Sequence, residues 1–206
     1  MNDIASMTLQ HLLLSIQGVF WAVLAGIPLG WTAHRRQGFR SIIFTLSEWL
    51  QIFPTLALLA LLLFIWGLSD TTLISALFLY SLLPIVLATH AGLAGISPSV
   101  RESAIGMGMN RRQYFWRIQL PLALPHLLNG IRIALVTAVG ITTVGVLVGA
   151  GGLGKPIWRG IQTQNTPMIL SGALPAAALA IGIDLAGQWL EKRITPWKRD
   201  QDYGKQ

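Results

Sequence analysis

The chain has 206 residues, of which 53% are hydrophobic and only 11% charged, and its mean hydropathy is +0.58. Soluble domains carry about 25% charged residues, so much of this surface does not meet water and the chain reads as a membrane protein. The absence of cysteine excludes disulfides, thiolate chemistry and cysteine metal sites. The net charge of +7 raises a nucleic-acid partner, which the placement of the charges then removes.

The opening MNDIASMTLQ has no Lys or Arg ahead of the first apolar run. That run is longer than a signal-peptide core, which predicts a retained helix. A crossing helix needs about 20 mostly apolar residues, and five stretches qualify: 9–33, 41–66, 71–93, 126–149 and 168–190. The second is long and contains Pro54, so a kinked, tilted or split span is expected, with six crossings as the alternative. Proline frees a backbone carbonyl, which is tolerated at membrane depth only against protein or a cavity. Pro54, Gln51 and the intramembrane carboxylate Glu48 are therefore candidates for a polar path. Capping of a neighbouring helix is the equal alternative for Glu48.

The linker HRRQGFR carries Arg35, Arg36 and Arg40, and the 94–125 linker carries Arg101, Arg111, Arg112 and Arg117. The tail from residue 191 carries Lys192, Arg193, Lys198, Arg199 and Lys205. The opposite side has only Lys155 and Arg159, in the 150–167 linker. Cytoplasmic loops collect basic residues, so the amino end is outside and the carboxyl end inside. The charge is a topology signal, and no nucleic-acid partner is expected. Trp31, Trp66, Trp158, Trp189 and Trp197 fall near span ends, where an indole anchors at the headgroups.

The 94–125 linker predicts two short surface helices. Ser99 with Glu102 is a candidate capping box, and Ser97-Pro98 is an alternative start. The first helix is expected to run to about Met109, with Asn110 and Gln113 capping the second and Pro121 and Pro125 stopping it. Ala104, Gly106 and Gly108 are small, and glycine within a helix costs about 1 kcal/mol. A close-approach surface for another protein accounts for them; a helix lying on lipid headgroups is the alternative. His11, His34, His90 and His126 form no metal-ligand spacing. Asp184, in the last span, is expected to pair with Arg132 or a tail cation. No paired interrupted helices mark an inverted repeat.

Glu102-Ser103-Ala104, then Gly108, then Ile118-Gln119-Leu120-Pro121, resembles the EAA-xxx-G-x9-I-x-LP loop of ABC-importer permeases, with Ser103 in place of the second alanine. The segments LQIFPTLALLALLL, LFLYSLLPIVLATHAGL, GMGMNRRQYFWRIQLPLALPHLLNGIRIA and VGAGGLGKPIWRGI resemble permeases for quaternary-amine osmoprotectants such as glycine betaine and choline. The resemblance implies an all-α bundle of the type I importer kind, in the bacterial inner membrane, and one permease domain over 1–206. It makes Glu102, Ser103, Ala104, Gly106, Gly108, Ile118, Leu120 and Pro121 the coupling surface for a separate cytoplasmic ATP-binding subunit. ATP-Mg would sit on that partner, since the chain has no GxxxxGK[ST] loop. A second permease copy or sister permease and an extracytoplasmic solute-binding protein complete the expected set. Gly151, Gly152 and Gly154 become candidates for an external gate, with a simple tight turn as the alternative. The competing expectations are an ATP-independent transporter or channel, and an ABC permease for another small solute such as an amino acid.

Overall fold

The computed structural model describes residues 2–195, and among them it contains helices and no strand. In chain order the helices are α1 (Asn2–Arg35), α2 (Gln37–Ile52), α3 (Thr55–Trp66), α4 (Asp70–Ala94), α5 (Pro98–Gly106), α6 (Arg111–Tyr114), α7 (Leu120–Thr142), α8 (Gly154–Gln162) and α9 (Thr166–Ile194). A π turn, Phe115–Gln119, joins α6 to α7, and a 3₁₀ segment, Thr143–Val148, extends α7. Trp197, Lys198, Arg199 and Lys205 lie outside the described residues.

Four helical runs are long and apolar enough to cross a membrane, and α2 with α3, bent by 98° between them, are together apolar and long enough for a fifth, broken one. The break is at Phe53 and Pro54, whose backbones are extended (ψ 131° and 132°). It is sealed from α4: the Tyr80 hydroxyl donates to the Phe53 carbonyl at 2.6 Å. The carbonyl exposed by the broken helix thus has a donor from protein, as apolar surroundings require.

The core is the parallel pair α1 and α4 with α7 running back against it. Gly18, Gly26 and Gly30 of α1 press on Leu77, Ile85 and Thr89 of α4, always 59 residues ahead. A Cβ at any of the three would collide, so small residues set the helix spacing, as is usual between membrane helices. Gly92 of α4 against Ala123, and Gly130 of α7 against Ala88, do the same for the antiparallel pair. Leu14, Val19, Leu59, Leu73, Leu77 and Ala138 fill the centre.

Helix α9 is peripheral, with only Gly172 and Ala176 buried. Its inner half is held by Arg132 of α7, whose guanidinium lies 3.3 Å from the Asp184 carboxylate. The expected partner for Asp184 is therefore the one found.

Three expectations change. Pro121 and Pro125 do not end a helix; α7 runs through both. The π turn ahead of them is wider by one residue and accommodates Pro121, which has no N–H to give to the ladder. The first span is longer than 9–33 and fills α1. The 150–167 linker contains a helix, α8, in which Gly154, Pro156 and Gly160 are buried.

Candidate functional site

Three parts of the molecule carry the sequence candidates: a helical hook at the inner end, the broken crossing, and the glycine loop at the outer end.

The hook begins at Pro98, the first helical residue after Ser97. The capping box from Ser99 to Glu102 does not form. Proline sets the start two residues earlier, with Ser97 as the cap and Pro98 as the first helical residue, the alternative start that the sequence offers. The Ser97 and Ser99 hydroxyls hydrogen-bond each other at 2.7 Å. Helix α5 ends at Gly106, short of Met109. The end is a Schellman motif: Met109 N–H donates to the Ala104 carbonyl (3.1 Å) and Gly108 N–H to the Ile105 carbonyl (2.9 Å). Gly108 sits at φ +76°, the left-handed conformation that motif demands. Its glycine is thus explained by the turn, whereas Gly106 is a helical residue with open space where a Cβ would stand.

Asn110 then caps α6 as expected. Its carboxamide accepts from Gln113 N–H while the Gln113 side chain accepts from Asn110 N–H, both at 2.9 Å. Two reciprocally closed ends make α5 and α6 a defined hook. Ala104 is fully buried beneath it, and Ile118, Leu120 and Pro121 are half-buried where the hook returns to α7. Glu102, Ser103, Gly106 and Gly108 are exposed, with Ile105 and Met107 at 60% and 66% exposure. Ile105 near the end of α5 and its C-cap Met107 thus present large apolar side chains at the surface of the hook.

At mid-depth, Gln51 lines a cavity of about 420 Å³ between α2, α4 and α7, together with His126 and Asn129. Its side chain also donates to the Tyr80 carbonyl at 3.5 Å. Glu48 does not line that cavity. It is exposed on α2 and has no hydrogen-bond or ion-pair partner among the described residues. Sequence reasoning missed His126 and Asn129, because their relation to Gln51 exists only once α7 packs on α4.

The outer loop Gly149–Gly154 is bound from two helices, α1 and α4. Gly151 N–H donates to Asp70 Oδ1 (3.0 Å), Gly152 N–H to Gln10 Oε1 (3.1 Å) and Leu153 N–H to His11 Nδ1 (3.3 Å). The other ring nitrogen of His11, Nε2, meets the Val139 carbonyl at 3.0 Å and so carries the proton. Ser15 and Thr142 hydroxyls share a further bond at 3.0 Å. A Cβ at Gly151 would strike Gln10, and one at Gly154 would strike the Thr143 carbonyl. The loop is thus a plug fitted against α1 and α4. Among the described residues no group of three or more His, Cys, Asp or Glu could hold a metal.

Four long apolar helices, a bent apolar pair and a helical hook between α4 and α7 make a polytopic membrane bundle of the type I importer fold. The chain belongs to the family described as the binding-protein-dependent transport system inner membrane component, whose model matches residues 19–199. It is accordingly an inner-membrane transport protein. It is 44% identical to the glycine betaine/carnitine/choline transport system permease protein OpuCD of Bacillus subtilis, over 92% of this chain and 83% of that one. Identity is 42% to the choline transport system permease protein OpuBD of the same organism (92% and 84%), and 38% to the osmoprotectant import permease protein OsmY of Salmonella typhimurium (94% and 83%). Among solved structures, an inward-facing form of the MetNI methionine ABC transporter superposes with a TM-score of 0.83 at 22% identity, covering 95% of this chain and 97% of that one.

Proposed function

We propose that this chain is the non-catalytic membrane subunit of an ATP-driven importer of quaternary-amine osmoprotectants, of the glycine betaine or choline kind. The solute class rests on relatives at 38–44% identity that are named for such solutes. The observation that carries the mechanism is the hook. Its two ends are closed by local hydrogen bonds, and Ile105 and Met107 are held outward on the side the arginines place in the cytoplasm.

In this reading the exposed face of α5, with Glu102, Ser103 and Gly106, enters a cleft on a separate ATP-Mg-binding subunit. Gly108 and the buried Ala104 set the angle of the hook, and Ile118, Leu120 and Pro121 pass its movement into α7. Nucleotide-driven closure then tilts the spans between inward-open and outward-open forms. Reversing a 1:99 preference takes about 5.5 kcal/mol, within reach of nucleotide binding. A second permease, identical or sister, covers the exposed faces of α2, α3 and α9, and Glu48, Gln51 and Pro54 line the path between them. Gly151, Gly152 and Gly154 form the outer gate beneath an extracytoplasmic binding protein. Selection of a quaternary ammonium by cation–π contacts belongs to that binding protein.

Uptake into proteoliposomes tests the proposal. Radiolabelled choline or glycine betaine should accumulate only when the ATPase subunit, ATP and binding protein are all present. Accumulation driven by an ion gradient without the ATPase would establish a secondary transporter instead. Accumulation of an amino acid in place of both amines would retain the mechanism and change the solute.

A further inference from the structure

Two cavities adjoin at the inner end of the bundle, and they differ sharply in chemistry. The first, about 580 Å³, is an apolar slot between α1, α4 and the start of α7, over Ile27, Leu93, Ala123 and Leu127. The second, about 790 Å³, lies between the end of α1 and the hook, and it takes His34 and three arginines: Arg35, Arg101 and Arg111. Trp31, Leu93, Arg111 and Phe115 line both, so the basic chamber opens directly onto the slot. Arg112 stands at the mouth of the slot.

No Asp or Glu lines either cavity. The four arginines are exposed and enter no ion pair among the described residues. Arg35 is steadied by stacking, its guanidinium 4.7 Å from the Trp31 ring centroid. An apolar slot continuous with an uncompensated basic chamber, at headgroup depth on the cytoplasmic side, is complementary to one kind of molecule. Basic pockets between membrane helices on that side hold anionic lipid headgroups.

We propose that the two cavities together hold one anionic phospholipid. Its phosphate sits among Arg35, Arg101 and Arg111, and one acyl chain fills the slot over Leu93 and Leu127. The charge complementarity selects the headgroup, and the continuity of slot and chamber selects a molecule with both parts. Because Arg101 and Ile105 belong to α5, such a lipid would underlie the hook and fix its height above the bilayer. The inference concerns the permease chain alone and stands apart from the identity of any solute.

Native mass spectrometry of the full-length chain, released from nanodiscs of equal dioleoyl phosphatidylglycerol and dioleoyl phosphatidylcholine, tests it. Each arginine at the membrane surface contributes about a fivefold preference for an anionic lipid. The wild type should retain phosphatidylglycerol over phosphatidylcholine by about a hundredfold. Arg35→Gln, Arg101→Gln or Arg111→Gln alone should each reduce this about fivefold, and the three together should bring it near parity. Arg159→Gln, at the opposite end, should leave it unchanged. Equal retention of the two lipids by the wild type would overturn the proposal, as would a preference undiminished by the triple substitution. Displacement of the bound lipid by millimolar glycerol phosphate would also overturn it, by showing a site for free phosphate. A lipid-free second copy of the chain seated on this face would overturn it equally.

Discussion

The guanidinium of Arg132 on α7 and the carboxylate of Asp184 on α9 lie 3.3 Å apart within the span region. Asn129 accepts a further bond from Arg132 at 2.6 Å, and Gln188 donates to Asp184 at 2.7 Å. Gly187 gives the arginine stem its room on α9, since a Cβ there would press on the Arg132 side chain.

This pair fastens a helix that otherwise buries little of itself. Asp184→Ala leaves Arg132 without its counter-charge, and because the pair is only partly buried the protein should be destabilised by about 1–2 kcal/mol, between an exposed and a buried pair. Replacing both partners with apolar residues, Arg132→Met with Asp184→Leu, should recover most of that loss, because no uncompensated charge remains. Thermal unfolding in detergent distinguishes the cases. A double variant as weak as Asp184→Ala would show that the ion pair, and not the absence of a lone charge, holds α9.

The hook separates backbone geometry from docking. At Gly108, φ +76° makes alanine unfavourable by about 1–2 kcal/mol, whereas asparagine tolerates that region. Gly108→Asn should keep the hook formed and Gly108→Ala should loosen it, as read by hydrogen exchange at Met109. Gly106→Trp starts from an exposed position whose Cβ meets nothing within 4 Å, so the variant should keep wild-type thermal unfolding in detergent. It should nevertheless lower ATP-driven uptake at least tenfold, since it fills the docking face. Normal uptake by Gly106→Trp would remove that face from the coupling surface.

The outer plug depends on one imidazole. His11→Leu keeps the volume but leaves the Val139 carbonyl and the Leu153 N–H without partners. An unsatisfied buried group costs about 1–3 kcal/mol. Exchange of the Leu153 amide should accelerate more than tenfold, with the hook unaffected. An unchanged rate would mean that Gln10 and Asp70 hold the loop without it.

Tyr80→Phe removes the hydroxyl that caps the Phe53 carbonyl at the broken crossing. A loss of about 1–2 kcal/mol in unfolding free energy is expected, concentrated in faster exchange across α2 and α3. Stability equal to wild type would show that another donor replaces it.

What the sequence revealed was local or periodic. Apolar length marked the crossings, Pro54 the break, and Asn110 with Gln113 a cap three residues apart. The Arg132–Asp184 pair could be expected because a lone carboxylate inside a membrane needs a cation. Local competition defeated the Ser99 cap, since Pro98 had already fixed the helix start. Helix α5 is shorter than its composition suggests because Gly108 takes the left-handed turn of a helix end and is not a helical residue. The plug was illegible for a different reason: Gln10 and Gly152 are 142 residues apart, and nothing in either stretch names the other. The same holds for Gln51 with His126 and Asn129, which meet only after α4 and α7 pack.

The absence of cysteine from all 206 residues makes one measurement decisive for the proposed coupling. Met107→Cys, at 66% exposure and outside the lining of the basic chamber, labelled with a short photoreactive maleimide, can be irradiated in membranes containing the assembled transporter. The account predicts a covalent adduct between the hook and the ATP-hydrolysing subunit, whose yield changes between nucleotide-free and ATP-bound states. Adducts confined to lipid in both states would contradict it.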